Sequence, residues 1–181
     1  MSKQQTPQHS DTDLKPAPFL VENINLLHKG KALDVAMGSG RNSVYLAKMG
    51  FEVEGIDVSA DAVHDAQHLA KAKGVAITTY VVDLEGSYRI KKNTYDVIIC
   101  FHYLQRSLIP QMKEALKSGG MIVYETFIVD QAKLFGKPRN PDYLLKYNEL
   151  LEMFRDFRCL RYREGVIDNK AAVAGIVAQK P

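Results

Sequence analysis

Short apolar runs alternate with segments of helical period along most of the chain, and this alternation limits the folds that the chain can adopt. Each run is mostly apolar, as strands covered on both faces must be. Five runs have this character: Lys31–Ala36, Glu52–Asp57, Ala76–Val82, Tyr95–Phe101 and Gly120–Phe127. Because helical patterns separate them, their order predicts a parallel sheet with crossover helices on both faces.

Three connecting segments place apolar residues at helical spacing. The segments after Ser59 and after His102 each align four apolar residues on one face. Those residues are Val63, Ala66, Leu69 and Ala70 in the first segment, and Leu104, Leu108, Met112 and Leu116 in the second. The third stripe consists of Tyr143, Tyr147, Leu150, Leu151 and Phe154. We therefore expect a helix in each segment.

Two further apolar runs end the chain, Phe157–Arg163 and Ala171–Gln179, with only Glu164–Lys170 between them. That gap is too short for a crossover helix, so the two runs should form an antiparallel hairpin. Gly165 and the pair Asp168-Asn169 are suited to its turn. The predicted fold is thus α/β, a Rossmann-like doubly wound sheet of seven strands, five parallel plus a C-terminal antiparallel hairpin.

The length of 181 residues fits one domain, which we expect to span residues 19–181. Residues 1–18 hold three prolines and almost no large apolar residue, so they are predicted to form a flexible N-terminal arm. Cys100 and Cys159 lie far apart, without a CxxC motif or a Cys/His cluster. That pattern predicts reduced, buried thiols and neither a disulfide nor a metal site.

The charge and hydropathy of the chain give little support to nucleic-acid or membrane binding. Lys and Arg outnumber Asp and Glu by only 24 to 21, and the charges are interspersed, so the electrostatic case for nucleic-acid binding is weak. No apolar run approaches the roughly 20 residues that span a bilayer, and the polar start lacks the hydrophobic segment of a signal peptide. We expect a cytoplasmic protein, a monomer or homodimer, that binds neither nucleic acid nor membranes.

The first predicted strand runs into a glycine-rich turn typical of a nucleotide-binding loop. The turn reads Asp34-Val35-Ala36-Met37-Gly38-Ser39-Gly40-Arg41-Asn42. Gly38 and Gly40 permit positive φ angles and close approach of a ligand, and free amides follow at the helix start. Asp57 ends the second strand 19 residues after Gly38, where a carboxylate can accept both ribose hydroxyls. Asp83 ends the third strand and should converge on the same crevice, although both carboxylates could instead cap the elements that follow.

A dinucleotide-binding site is the obvious competitor of this interpretation. Its G-x-G-x-x-G motif requires a glycine at position 43, where this chain has Ser43. Asp34 would also oppose the negative charge of a pyrophosphate. The pattern therefore suits a ligand that carries a positive amino group or a sulfonium.

These residues resemble the class I S-adenosylmethionine-dependent methyltransferases, whose first motif is an acidic residue followed by alternating glycines. Here the motif reads Asp34-x-Ala36-x-Gly38-x-Gly40, with Ala36 in place of the first glycine. The Gly-Arg-Asn triplet at 40–42 is similar to the tellurite-resistance subgroup of small methyltransferases. The resemblance covers about residues 19–181, the terminal hairpin included.

The resemblance implies S-adenosylmethionine as the cofactor and assigns residues to its parts. Asp34 and the loop Ala36–Gly40 would hold the methionine portion, together with the backbone of Phe101, and Asn42 is a further cofactor-binding candidate. Asp57 would hold the ribose with Val58 beside it, and Asp83 with Leu84 would hold the adenine. No metal is expected.

The acceptor should lie beyond the fourth and fifth strands, where side chains suited to proton transfer follow the strand ends. A hydroxyl or a protonated amine would need a general base such as His102 or Glu125, whereas a thiolate or an oxyanion would need none. His102 could instead be a helix-start residue. The substrate-side candidates are Tyr103, Arg106, Tyr124, Arg139 and Tyr143.

Several alternatives stay open at this point. Arg139 could receive an anionic acceptor group, or it could pair with a surface carboxylate. His64 and His68 have a metal-ligand spacing but no evident third ligand, so a solvated helix face is favoured. The sequence favours methyl transfer to a small molecule such as a thiol or a chalcogen oxyanion. The competing classes are an S-adenosylmethionine-binding regulator without turnover and a nicotinamide-dependent oxidoreductase.

Overall fold

A computed structural model describes residues 15–181, which form one seven-stranded sheet with helices on both sides. The strands are β1 (Lys31–Val35), β2 (Glu52–Asp57), β3 (Thr78–Val81), β4 (Tyr95–Phe101), β5 (Leu116–Phe127), β6 (Arg158–Ile167) and β7 (Ala171–Gln179). The helices are α1 (Pro18–Asn23), α2 (Arg41–Lys48), α3 (Ala60–Ala72), α4 (Ile109–Ala115), α5 (Asp130–Phe135) and α6 (Glu149–Met153). Short 3₁₀ turns cover Ile24–Leu26, Arg106–Leu108 and Pro141–Tyr143.

The strand order is β3-β2-β1-β4-β5-β7-β6. Strands β1 to β5 pair in parallel, and β7 inserts antiparallel between β5 and β6. The order reverses direction between β1 and β4, which is where open α/β sheets bind ligands. The predicted fold class is confirmed.

The hairpin turn is tighter than the sequence analysis predicts. β6 continues to Ile167, so only Asp168, Asn169 and Lys170 connect it to β7. Asp168 and Asn169 have φ values of 51° and 53°, in the left-handed region that Asp and Asn tolerate. Gly165 lies within the strand and pairs with Val173, because Val166 and Ile167 extend the ladder with β7.

The helix predicted from Tyr143 to Phe154 forms only at its two ends. Between the 3₁₀ turn at 141–143 and α6, the chain is extended and Leu145 pairs with Ile128 at the end of β5. The Leu145 amide donates to the Phe127 carbonyl over 2.9 Å, and the Val129 amide donates to the Leu145 carbonyl over 2.9 Å. Burial of Leu144 and Leu145 against the sheet overrides the helical period in this segment.

The ordered fold begins earlier than residue 19. Ala17 is buried, its amide donates to the Asn42 Oδ1 over 2.8 Å, and Pro18 is the first residue of α1. The end of the predicted flexible arm is therefore wrong for Ala17 and Pro18, because α1 packs on the sheet. Residues 1–14 of the predicted arm lie outside the described residues.

Arg163 of β6 links the C-terminal hairpin to both β5 and α1. Arg163 of β6 and Glu125 of β5 both lie opposite Gly175 of β7, and the Arg163 Nη2 reaches across the glycine to the Glu125 Oε2 at 2.7 Å. A Cβ atom at Gly175 would lie 3.0 Å from the Glu125 Oε2 and 3.1 Å from the Phe19 ring, so glycine gives this bridge the room that it needs. The Phe19 ring of α1 covers the guanidinium, with 4.5 Å between the Arg163 Cζ and the ring centroid. The hairpin and the first helix are thus one packed unit.

Both cysteines are free, but they differ in burial. Cys100 is buried in β4, as the sequence analysis predicts. Cys159 is exposed in β6, which corrects the expectation of two buried thiols, because β6 is an edge strand. No helix within residues 15–181 combines the length and the apolarity that crossing a bilayer requires.

Candidate functional site

In the loop after β1, every second residue from 36 to 40 has its backbone in the left-handed region of φ/ψ space. Ala36, Gly38 and Gly40 have φ values of 55°, 55° and 78°. At Gly38 a Cβ atom would meet nothing within 4 Å, so the backbone there is open to a ligand. Ala36 adopts a conformation that costs an L-residue roughly 1–2 kcal/mol, which explains why a glycine also suits this position.

Gly40 has a different role from the one expected of a ligand-facing glycine. A Cβ at this position would lie 2.6 Å from the Ala66 Cβ of α3. A side chain at residue 40 would therefore clash with α3, whereas the sequence analysis interprets Gly40 as part of the methionine contact. Gly40 precedes α2 as its N-cap and lets α2 and α3 approach closely.

Asp57 connects this loop to the end of β2. Its Oδ2 accepts the Gly38 amide over 2.8 Å, and its Oδ1 accepts the Ser59 amide over 2.9 Å. Each oxygen keeps a further lone pair for a ligand. The alternative role of Asp57 as a cap of the following element is therefore also present.

A cleft of about 470 Å³ opens beside the loop, and Asp34 forms part of its wall. The Asp34 carboxylate is buried and accepts a hydrogen bond from the Ser43 hydroxyl over 2.7 Å. Burial raises the pKa of Asp34 to about 7, against the smaller lowering by Ser43. A positive ligand group would restore the ionised form. We call this space the first cleft; it is lined further by Phe101, His102 and Arg41.

A second cavity of about 350 Å³ adjoins the first cleft at Ala36. Asp57, Asp83 and Glu85 give it an acidic rim, and Val58, Leu84 and Tyr103 give it apolar walls. Val58 is 66% exposed here. Such a slot suits a flat heterocycle with a polar edge.

A third cavity of about 340 Å³ adjoins the first cleft at His102. His102 has a φ of 56°, and its amide donates to the Glu125 carbonyl over 2.9 Å. Its ring stacks on Phe127 with 4.9 Å between the centroids and 10° between the planes. Burial lowers the pKa of His102, and the Arg41 charge lowers it further. The ring is therefore neutral at neutral pH.

The substrate-side candidates divide into residues at the third cavity and residues away from it. Tyr103 and Tyr143 line the cavity. Tyr124 is buried on the sheet, where its hydroxyl donates to the Tyr103 carbonyl over 2.7 Å. Arg106 and Glu125 are already engaged in ion pairs and line none of the cavities described here.

Arg106 holds the chain around the third cavity in place. It donates to both carboxylate oxygens of Glu149, at 2.6 and 3.0 Å, and to the carbonyls of Asp142 and Leu144. We call residues 128–149 the acceptor-side segment, since Arg106 ties its end to the chain that follows β4. Arg139 of this segment lines a further space that we call the outer cavity. Its other walls are Phe127, Lys137 and Pro138.

Glu125 is placed for structure more than for proton transfer. Its carboxylate is buried against Arg163, and it faces α1 on the side of the sheet away from Tyr124. Burial raises the pKa of Glu125, and the Arg163 charge opposes that rise. Of the two predicted base candidates, His102 lines the first cleft and the third cavity, and Glu125 lines neither.

Sequence reasoning missed several residues of these walls. Arg41 lines the first cleft, and Glu85 and Leu104 line the third cavity. Arg41 could have been found, because it follows the last loop glycine at the start of α2. Glu85 carries no such signal, because it joins the wall only when the chain after β3 folds beside Tyr103.

The two helical histidines form a pair on the exposed face of α3. The Nε2 atoms of His64 and His68 are 3.1 Å apart, and both side chains are exposed. Across residues 15–181, no group of three or more His, Cys, Asp or Glu side chains is arranged to hold a metal ion.

The sheet order and the open loop after β1 define a nucleotide-type cleft on a Rossmann-like fold. The family model of the tellurite resistance protein TehB matches residues 4–174, and the chain belongs to this family. The resemblance inferred from the glycine loop is confirmed.

Individual proteins agree with this assignment. A probable S-adenosyl-L-methionine-dependent methyltransferase TehB from Haemophilus influenzae is 27% identical over 155 residues, which are 81% of this chain and 52% of the relative. A ubiquinone biosynthesis O-methyltransferase from Colwellia psychrerythraea is 29% identical over 111 residues, 59% of this chain and 45% of the relative. The chain thus spans about half the length of these curated relatives.

Solved structures show the same fold. The crystal structure of TehB from Haemophilus influenzae matches with a TM-score of 0.75 at 24% identity, over 90% of this chain and 61% of that chain. A SAM-dependent methyltransferase from Methanosarcina mazei matches with a TM-score of 0.71 at 20% identity, over 92% of this chain and 98% of that chain.

Proposed function

We propose that this protein is an enzyme that binds S-adenosylmethionine and transfers its methyl group to a small-molecule acceptor. The observation that carries the proposal is the row of carboxylates along one crevice, Asp34, Asp57 and Asp83, around the open backbone of Gly38. The family and the names of the relatives support it.

The chemical groups of S-adenosylmethionine fit this crevice in order. Its ammonium group matches the buried Asp34 carboxylate, and its carboxylate matches Arg41 in the same cleft. The ribose hydroxyls match the free lone pairs of Asp57. The adenine matches the slot between the exposed Val58 and Leu84, with Asp83 at its polar edge.

Alignment and proton removal are the tasks left to the protein. When bound, S-adenosylmethionine supplies a methyl carbon on a positively charged sulfur that leaves as a neutral thioether. His102 lies where the first cleft meets the third cavity, so an acceptor in the third cavity would face both the methyl group and this ring. Neutral His102 would accept the proton of a hydroxyl or thiol acceptor as the new bond to carbon forms.

A thiol or a chalcogen oxyanion is the acceptor that the family resemblance favours. An anionic acceptor would need no base, and His102 would then only orient it. The sequence predictions of a cytoplasmic protein, monomeric or homodimeric and without nucleic-acid partners, remain part of this proposal.

Calorimetry of the full chain with S-adenosylmethionine, S-adenosylhomocysteine and NAD tests the cofactor. We expect both sulfur compounds to bind and NAD to fail. Asp57→Ala should weaken S-adenosylmethionine binding by about 1–3 kcal/mol, since two hydroxyls lose a charged acceptor. Asp61→Ala on the exposed face of α3 is the matched control.

Label transfer from S-adenosylmethionine to a panel of thiols, phenols, selenite and tellurite tests the reaction. Binding without transfer to any member would favour the regulator, and NAD binding would favour the oxidoreductase. Unchanged affinity in Asp57→Ala with an intact fold would reject the ribose assignment.

A further inference from the structure

The third cavity is walled by flat side chains. Four of them are the rings of His102, Tyr103, Phe127 and Tyr143, and Leu104 and Pro138 complete the apolar wall. The parallel stack of His102 on Phe127 gives the cavity one planar side. Tyr143 is 52% exposed at its mouth, so a ring that entered would cover apolar surface that now faces water. These walls suit a planar aromatic molecule.

The third cavity offers an anion no counter-charge. Within residues 15–181, no lysine or arginine lines it, and Glu85 adds a negative charge at its rim. Arg106 is near in sequence, but its guanidinium is engaged by Glu149 and by two carbonyls. A small oxyanion would therefore lose hydration in this cavity without gaining a cation.

Positive charge is present one step farther out. The outer cavity shares Phe127 and Pro138 with the third cavity, and its remaining walls are Lys137 and Arg139. The Arg139 Nε donates to the Gly136 carbonyl over 3.2 Å, and within the described residues neither cation has a carboxylate partner. Two exposed cations therefore line the outer cavity, which adjoins the third cavity at Phe127 and Pro138.

We propose that the acceptor is an aromatic acid, with a hydroxyl or thiol at its His102 end and an anionic substituent at its Lys137 and Arg139 end. The inference rests on the proposed function, because it takes the first two spaces for the cofactor. The ring packs against Phe127 and Tyr143. The hydroxyl or thiol proton passes to His102 as oxygen or sulfur bonds to the methyl carbon, and the bond between that carbon and the sulfonium sulfur breaks with both electrons going to sulfur. The anionic group takes no part in the bond changes and sets the direction in which the ring enters.

Equilibrium binding tests this without turnover. The full chain is saturated with S-adenosylhomocysteine and titrated by calorimetry with 3-hydroxybenzoate, with the uncharged 3-hydroxybenzamide and with selenite. We expect 3-hydroxybenzoate to bind about 3- to 10-fold more tightly than the amide, a ratio typical of two exposed ion pairs. Selenite should bind at least tenfold more weakly than 3-hydroxybenzoate.

Matched variants separate the ring from the charge. Lys137→Gln with Arg139→Gln should abolish the preference for the acid and leave the amide unchanged, whereas Lys73→Gln with Lys170→Gln, which removes two exposed charges elsewhere, should preserve it. Phe127→Leu should weaken both aromatic probes about 3- to 10-fold, while Phe135→Leu on α5 should not.

The outcomes distinguish this inference from the proposed function. A wild-type chain that fails to bind S-adenosylhomocysteine overturns the proposed function. A chain that binds it but binds the amide as well as the acid, or binds selenite as well as either, overturns the aromatic-acid acceptor alone.

Discussion

The loop after β1 and the acceptor-side segment differ in how their residues are positioned. The loop follows a buried parallel strand directly, and its geometry comes from local backbone conformation at Ala36, Gly38 and Gly40. Outside α5 and one 3₁₀ turn, the acceptor-side segment is irregular, and it is held by contacts with Arg106 and by the bridge from Leu145 to Ile128. A site for a common cofactor is thus encoded locally, and a site for a particular acceptor is assembled by tertiary contacts.

Asp34 provides the largest expected effect on the cofactor side. Its pKa is about 7 in the folded protein and about 4 when unfolded, so between these values the folded state keeps a proton that the unfolded state releases. Stability should therefore fall as pH rises from about 4 to about 7 and level off above. Over this pH range the free energy of unfolding of the wild type should fall by roughly 4 kcal/mol relative to that of Asp34→Asn.

Urea unfolding of both proteins across this pH range measures the effect, with Asp61→Asn as the exposed control. Parallel curves for wild type and Asp34→Asn would show that the carboxylate ionises freely. S-adenosylmethionine affinity should rise with pH through the same interval, because its positive charge favours ionised Asp34.

Gly40→Val should destabilise the protein by about 3 kcal/mol, since the new side chain meets Ala66 and requires a left-handed backbone. Gly38→Ala has the same φ cost without the clash, so its loss should be near 1 kcal/mol. Its cofactor affinity should still fall, because its methyl group projects into open space beside the first cleft. Denaturant unfolding combined with calorimetry separates the two variants, and equal stability losses would contradict the packing role of Gly40.

Arg106→Gln should loosen the acceptor-side segment while the loop after β1 keeps its structure. We expect a stability loss of about 1–2 kcal/mol, because a bidentate pair and two carbonyl contacts disappear. Amide exchange at Leu144 and Leu145 should become faster, with little change at Gly38. Arg155→Gln breaks an exposed pair with Glu152 and should cost under about 0.5 kcal/mol. Faster exchange throughout the sheet would contradict a local role for Arg106.

Ala36→Gly is the smallest of these changes. It removes the strain of a positive φ, and the greater freedom of glycine in the unfolded chain offsets part of that gain. We expect a net change of at most about 1 kcal/mol in the stabilising direction, visible as a slightly higher Tm. A clear decrease in Tm would indicate that the alanine methyl contributes packing that outweighs the strain.

The same contrast explains which features the sequence could predict. Asp34, Gly38 and Asp57 were predicted to converge because strand ends of a parallel sheet share one edge, and the structure places them there. Their functional roles remain predictions. The irregular path of Leu144 and Leu145 could not be predicted, because burial against β5 outweighs a helical period that continues to Phe154. The commitment of Arg106 to Glu149 depends on residues 43 positions apart, for which a single sequence carries no signal.

The contact of Phe19 with Arg163 has a consequence for the order in which the protein can be completed during synthesis. The amide of Ala17 reaches Asn42 beside the first cleft, and the helix that follows Ala17 rests on Arg163 and Gly175. Those two residues are translated long after the glycine loop. A nascent chain that already contains the whole glycine loop therefore still lacks the surface on which its own first helix packs. Packing of α1 must therefore follow the synthesis of β6 and β7, although α1 precedes the glycine loop in the chain.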